Sequence, residues 1–390
     1  MVKPKTFVIA LAGDNPVYYA GAIIEGKVIL ELSEQKKMQG ISIVMSGLAY
    51  VCWSENYAIG TGEDQRTKTV TYTDSETFFN PVSIQLCGNG RDSQNVAAGR
   101  YEFPFKFQLP SSNLPTSYES KTGYIRYSLT STISRSWNIN HTTKRAITVN
   151  EIVDINTPYL AAELSSSNEK TLCCLCCASG PISLSVTTDR GGYCPGESIA
   201  ISTEAENHSD SRVSAVQASL KQEVSYYVDR HSCSFRKVVQ KVEGPGIAAG
   251  RSSNWSKELL PVPAIVPTID SCRILKLSYY LVVTLVIPGA RDLHVSIPVT
   301  IGNVPFRGQD HAAHNGNSYI PPPYLPQPHT ENPPSASLTY SAVYPPVYIG
   351  DDNYTMGETQ YAPVYGFVTD YPFVTPSYSE AVVKVMGGEN

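Results

Sequence analysis

Apolar and polar residues alternate along residues 1–300 in short runs, which glycine, proline, asparagine and serine separate. The clearest run has period two at Leu277, Tyr279, Leu281 and Val283. This period, in runs rich in β-branched and aromatic residues, is typical of strands with one buried face. The sequence has no long amphipathic helical pattern. It therefore predicts an all-β protein built from β-sandwiches.

A weak internal repeat divides this pattern into two halves. Residues 17–21 precede a predicted strand that starts at Ile23, and residues 192–196 precede one that starts at Ile199. A repeat of this length is typical of tandem domains rather than of a solenoid. The predicted units are a first β-sandwich, a linker with a cysteine cluster, and a second β-sandwich, at residues 1–155, 156–178 and 179–305.

The composition changes after about residue 302. Thirteen prolines and ten tyrosines follow, with few leucines or isoleucines. Such a segment buries too little apolar area to offset the entropy cost of ordering the chain. Residues 306–390 are therefore predicted to be a disordered, Pro/Tyr-rich tail, with a short strand docking back on the core near residues 367–374 as the alternative.

Two copies of a Pro-Pro-x-Tyr motif lie in this tail, at residues 321–324 and 345–348. Consecutive prolines hold a polyproline II backbone, which docks in the aromatic groove of a WW domain, and the tyrosine fills a second pocket. The alternative is a proline-rich spacer with chance tyrosines. The predicted WW-binding residues are Pro321, Pro322, Tyr324, Pro345, Pro346 and Tyr348.

A second tyrosine pattern overlaps these motifs. Tyr344, Tyr361, Tyr365 and Tyr371 each precede an apolar residue by three positions. Clathrin adaptors read Tyr-x-x-apolar motifs, so endocytic adaptors are candidate partners. The pattern is permissive, and chance matches are the preferred interpretation.

Four thiols cluster at Cys173, Cys174, Cys176 and Cys177. S-acylation is the functional interpretation of such a cluster in a cytosolic chain. Ordinary buried thiols are the alternative. Zinc or redox chemistry remains a third interpretation, although a tetrahedral zinc site needs pairs of cysteines from separate segments.

Charge and composition exclude other classes of function. The formal net charge is −5, and residues 307–390, with eight acidic and two basic residues, contribute −6 of it. No part is basic enough to favour nucleic acid as the partner. The apolar run at residues 7–12 is too short for a signal peptide, so a cytoplasmic location is expected. No catalytic or phosphate-binding motif occurs, and we expect no enzyme activity, cofactor or metal.

A series of sequence blocks follows in order from about residue 5 to residue 305. The most specific block comprises residues 99–110, 114–119 and 123–127 in the first half, and further blocks lie at residues 192–197, 206–209 and 301–305 in the second. In these blocks the chain resembles the arrestins. With its two tail motifs, the chain is most similar to the arrestin domain-containing proteins, the α-arrestins. It lacks a clathrin box and the buried charged constellation that senses receptor phosphates, so we assign no phosphate-sensing residue.

The resemblance implies two immunoglobulin-like arrestin β-sandwiches in tandem. It also implies a trafficking adaptor that brings WW-domain HECT-type ubiquitin ligases to membrane receptors or transporters as cargo. Cargo ubiquitination, endocytosis and endosomal sorting would follow, with the cytoplasmic adaptor recruited to the plasma membrane and endosomes. The alternative is a cargo-binding scaffold or sorting protein that acts without a ligase.

Overall fold

The computed structural model describes residues 3–13, 17–60, 66–112, 114–136, 140–174, 177–307, 338–350 and 355–368. In these residues the chain forms two β-sandwiches in tandem, with a further set of short strands from the C-terminal region packed on them. The prediction of an all-β, two-sandwich fold is confirmed.

The first sandwich contains eleven strands in the described residues. They are β1 (Thr6–Leu11), β2 (Ile23–Leu32), β3 (Lys36–Met38), β4 (Gly40–Ile59), β5 (Arg66–Thr77), β6 (Val82–Gly88), β7 (Gln94–Val96), β8 (Gly99–Gln108), β9 (Tyr118–Glu119), β10 (Gly123–Ser134) and β11 (His141–Ile147). One sheet has the order β1-β2-β8, and the other has the order β11-β10-β4-β5 with β6 and β9 attached. β4 and β5 form a long antiparallel hairpin, in which Leu48 lies opposite Thr77 and Ile59 opposite Arg66.

The core of this sandwich follows from the period-two pattern. Ile41, Ile43 and Met45 of β4 are fully buried, while the residues between them are half-buried. Tyr127 of β10 packs beside Phe78, and its hydroxyl donates a 2.8 Å hydrogen bond to the carbonyl of Pro115. Since a buried hydroxyl needs a partner, this bond permits a tyrosine in the core.

A four-residue helix, α1 (Pro158–Ala161), leads into the second sandwich. Its strands are β12 (Leu164–Cys174), β13 (Cys177–Thr188), β14 (Gly192–Tyr193), β15 (Ser198–Asn207), β16 (Ala215–Val228), β17 (His231–Gly244), β18 (Arg251–Pro261), β19 (Leu275–Val286) and β20 (Leu293–Ile301). The sheets have the orders β12-β13-β15-β18 and β14-β20-β19-β16-β17. Leu277, Leu281 and Val283 of β19, which carried the alternating pattern, are fully buried.

The prediction of a linker at residues 156–178 is corrected, because strand β12 lies within this range. This strand pairs with β13 from Leu164, opposite Thr188, to Cys174, opposite Cys177. It is the outer strand of its sheet. An edge strand tolerates polar and charged residues, which is why the polar run at residues 165–170 gave no strand pattern. The connection between the sandwiches is therefore shorter than predicted, and it contains α1.

The prediction of disorder throughout residues 306–390 is corrected for two stretches, residues 338–350 and 355–368. They contain β21 (Leu338–Ala342), β22 (Val347–Tyr348), β23 (Thr355–Met356), β24 (Gln360–Tyr361) and β25 (Val364–Val368). We call residues 338–350 and 355–368 the docked segment. β21 pairs with β25 and β22 with β24, both antiparallel, and β23 adds in parallel to β11. The segment lies mostly before residues 367–374, where the alternative placed a strand.

Candidate functional site

The docked segment makes contact with both sandwiches. Tyr365 is 2% exposed, and its hydroxyl donates a 2.9 Å hydrogen bond to the carbonyl of Ser117 in the first sandwich. The N–H of Val368 donates a 3.0 Å hydrogen bond to the carbonyl of Pro195 in the second. Gly196 permits this approach, because its φ is +97° and a Cβ there would collide with the carbonyl oxygen of Val368.

Tyr344 lies between the two sandwiches. Its hydroxyl donates to Oε1 of Gln222 and accepts from Nζ of Lys237, both at 3.3 Å and both in the second sandwich. Its ring meets the Tyr118 ring of the first sandwich edge-on at 6.0 Å. Lys237 also lies 4.7 Å from the centre of the Tyr344 ring, within the range of a cation–π contact. One tail residue thereby contacts both domains.

Further contacts of the docked segment lie along β11. The Tyr361 hydroxyl donates a 3.1 Å hydrogen bond to the carbonyl of Ile147, and burial raises the pKa of this phenol to about 12. The Thr143 hydroxyl donates to the carbonyl of Met356 at 3.1 Å. Arg145 forms an ion pair with Glu358, whose side chain is 68% exposed. Such an exposed pair contributes little, so the buried tyrosines and backbone bonds hold the segment.

The second Pro-Pro-x-Tyr motif is part of the docked segment. Pro345 and Pro346 are exposed, and Tyr348 is 57% exposed. In the β22–β24 ladder Val347 lies opposite Tyr361. Ile349, directly after the motif, is buried, and its N–H donates a 2.8 Å hydrogen bond to the carbonyl of Thr359. The prolines and part of the tyrosine ring therefore face solvent, while the backbone after them is paired.

The first motif, with Pro321, Pro322 and Tyr324, lies outside the described residues. Its assignment as a WW ligand stays a prediction, as does that of the second motif. Sequence reasoning missed the residues of the core that receive the docked segment. No local signal marks Ser117, Gln222 or Lys237, because each meets the tail only through the fold.

Two of the four Tyr-x-x-apolar matches, Tyr361 and Tyr365, have buried tyrosine rings, and Tyr344 is half-buried. Tyr361 is 9% exposed and Tyr365 is 2% exposed. To bind such a motif, a clathrin adaptor must receive the tyrosine ring in a pocket on the adaptor's surface, so the ring has to be accessible. Neither ring is available for that while the segment is docked, and Tyr371 lies outside the described residues.

The cysteine cluster sits at the end of the β12–β13 hairpin. In the backbone ladder Cys173 is opposite Ala178 and Cys174 is opposite Cys177, after a register shift that follows Thr171. Cys176 lies outside the described residues. S-acylation of Cys173, Cys174, Cys176 and Cys177 stays a prediction. Among the described residues, no group of three or more His, Cys, Asp or Glu side chains could hold a metal ion.

The two sandwiches meet through polar contacts near the docked segment. Beside these contacts, within the first sandwich, Nε of Arg126 donates to Glu119 at 2.7 Å, and this pair is largely buried. The hydroxyls of Ser120 and Tyr226 lie 2.8 Å apart across the two domains. Burial raises the pKa of Glu119 above its usual value, although Arg126 opposes the shift.

Within the described residues, no helix is long and apolar enough to span a membrane.

Tandem β-sandwiches of this order define the arrestin class of adaptor. Residues 7–156 match the family model described as "Arrestin (or S-antigen), N-terminal domain", and residues 178–306 match "Arrestin (or S-antigen), C-terminal domain". The chain belongs to the arrestin family, whose members are generally non-enzymatic adaptors.

The similar proteins place the chain among the α-arrestins. It is 33% identical over 295 residues to mouse arrestin domain-containing protein 4, an alignment that covers 75% of this chain and 70% of that protein. The human protein of the same name is 33% identical over 291 residues, with coverages of 75% and 69%. Mouse thioredoxin-interacting protein is 29% identical over 301 residues, with coverages of 77% and 74%. An arrestin-like adaptor role follows for this chain.

Proposed function

We propose that this chain is a trafficking adaptor that recruits WW-domain HECT-type ubiquitin ligases to membrane receptors or transporters. The observation that carries the proposal is the pair of Pro-Pro-x-Tyr motifs, at residues 321–324 and 345–348, that follows an arrestin-type core. The core would bind cargo, and the tail would bind the ligase. The cargo would then be ubiquitinated, internalised and sorted in endosomes, and the cytoplasmic adaptor would be recruited to the plasma membrane and endosomes.

The paired motifs set the expected affinity. A single polyproline ligand buries little surface, so micromolar binding of about −8 kcal/mol is expected for each motif. Twenty residues separate Tyr324 from Pro345. In a released tail this spacer spans roughly 25 Å, at about 5–6 Å × √n. Tandem WW domains that engage both motifs would gain roughly a hundredfold in avidity.

The competing proposal is a cargo scaffold that acts without a ligase. It explains the two sandwiches equally well, but it gives no role to a repeated Pro-Pro-x-Tyr motif. Endocytic adaptors are further candidate partners under either proposal. The two functions are distinguished by whether a membrane protein fused to this chain becomes ubiquitinated.

A reporter experiment tests the proposal without knowledge of the cargo. We expect a single-pass plasma-membrane reporter, with this chain fused to its cytoplasmic end, to be ubiquitinated and lost from the cell surface. The same fusion with Tyr324→Ala and Tyr348→Ala should stay at the surface and carry only background ubiquitin. If both fusions are ubiquitinated equally, recruitment does not run through the motifs, and the scaffold becomes the better proposal.

A further inference from the structure

The second motif is held between two anchors of the docked segment. Tyr344, directly before the motif, contacts Tyr118, Gln222 and Lys237 of the core. Ile349, directly after the motif, is buried. The chain from Tyr344 to Ile349 makes five Cα–Cα steps and therefore spans no more than about 18 Å when fully extended. A WW domain that closes around the motif would meet the core on both sides.

Part of the motif's backbone is also paired with another strand of the docked segment. Val347 and Tyr348 form β22, which pairs with Tyr361 and Gln360 of β24. The Tyr348 ring lies over Gly350, so closely that a Cβ on Gly350 would collide with the hydroxyl. A WW domain takes its ligand as a polyproline II segment without a ladder, and its pocket surrounds the tyrosine ring. Val347 and Tyr348 therefore cannot take part in both arrangements at once.

From this geometry we infer that docking of the segment and WW-domain binding at Pro345–Tyr348 exclude each other. The core thereby regulates ligase recruitment at the second motif. The inference rests on the proposed function, since it concerns the same ligand motif. It adds that the motif binds only in the fraction of molecules whose segment has left the core.

The anchors of the docked segment set that fraction. Tyr365 and Val368 are buried against the core, and Tyr361 is 9% exposed. The apparent dissociation constant equals the intrinsic constant divided by the released fraction. A segment that is released in one molecule of ten would weaken binding about tenfold. By the same linkage, a WW domain that binds the second motif must release the segment from the core.

The test uses the full-length chain with Tyr324→Ala, which leaves the second motif as the Pro-Pro-x-Tyr ligand. Calorimetry with a single WW domain of a HECT-type ligase gives its affinity, and a synthetic peptide of residues 341–352 gives the affinity of the undocked motif. We expect the chain to bind about tenfold more weakly than the peptide. Adding Tyr365→Ala should bring the affinity within about twofold of the peptide, whereas adding Tyr159→Ala, at an exposed tyrosine outside the docked segment, should change nothing.

The outcomes separate the two proposals. A peptide that does not bind the WW domain contradicts the proposed function itself. A peptide that binds, together with an equally tight Tyr324→Ala chain, overturns the exclusion and leaves the proposed function standing. Tyr361→Ala provides a second release variant, because Tyr361 anchors the segment through Ile147 and pairs with Val347. If neither release variant strengthens binding, docking does not mask the motif.

Discussion

The full-length chain with both Tyr324→Ala and Tyr348→Ala is expected to lose binding to tandem WW domains by a factor of about 100 or more. Each tyrosine fills a pocket that the prolines only position, so its ring carries much of the affinity of its motif. Isothermal calorimetry with the tandem WW fragment of a HECT-type ligase measures the loss. Each single variant should lose less, because the other motif still anchors one of the two WW domains.

The control for this variant is Tyr159→Ala. Tyr159 is 71% exposed and lies in the connection between the sandwiches, outside the docked segment. The double variant should keep the thermal unfolding transition of the core, since Tyr348 is itself more than half exposed. Unchanged binding by a folded double variant would remove the residue-level basis for ligase recruitment.

The free energy of unfolding is expected to fall by about 2 kcal/mol between pH 7 and pH 5 through His141 alone. His141 is 3% exposed at the start of β11. Burial lowers the pKa of its imidazole to about 4, and the charges of Arg135, Lys36 and Lys3 act in the same direction. The ordinary value is about 6.5, so the unfolded chain binds a proton at pH 5 that the native state does not bind.

The sign of this effect follows from the lowered pKa. The contribution of His141 to the free energy of unfolding is fully present above about pH 6.5, and it is lost as the pH falls towards the folded pKa of about 4. Urea denaturation of the wild type and of His141→Gln at both pH values isolates the contribution. Glu119 and Glu151, whose pKa values are raised by burial, act in the opposite direction in both proteins and therefore cancel. His294→Gln, at an exposed histidine, is the control. Equal pH dependence in the wild type and His141→Gln would contradict the prediction.

The strands of the two sandwiches could be predicted because each carries its burial in its own sequence. In β19 the alternation of Leu277, Tyr279 and Leu281 with half-buried positions is visible over a few residues, and the structure buries that face. A strand with two polar faces shows no such alternation of apolar and polar residues. β12 forms the edge of its sheet with a run of serine, asparagine, glutamate and lysine, so local composition marked it as a linker.

The docked segment could not be predicted, because its partners lie far away along the chain. Tyr365 and Ser117 are 248 residues apart, and Tyr344 and Gln222 are 122 apart. Composition judges whether a segment can bury apolar area within itself. It does not register area that is buried against an existing core, and two-residue strands such as β22 and β24 are too short to show a period.

The candidate site likewise has one part that the sequence predicts and one part that only the fold determines. The motif residues Pro345, Pro346 and Tyr348 are visible in the sequence, since recognition of a polyproline ligand depends on residue type and order. The attachment of Tyr344 and Ile349 on either side is a property of the fold. The sequence therefore predicts the ligand motif, and only the structure shows that the core holds it.

The central claim is tested most directly by the rate at which a purified WW-containing HECT ligase transfers ubiquitin to the full-length chain. We expect the wild type to be modified and the Tyr324→Ala, Tyr348→Ala variant to fall to the rate of an unrelated protein. From residue 306 onward the tail holds one lysine, Lys384, so peptide mapping should place most of the ubiquitin on lysines of the two sandwiches. Equal transfer rates for the wild type and the variant would contradict the account.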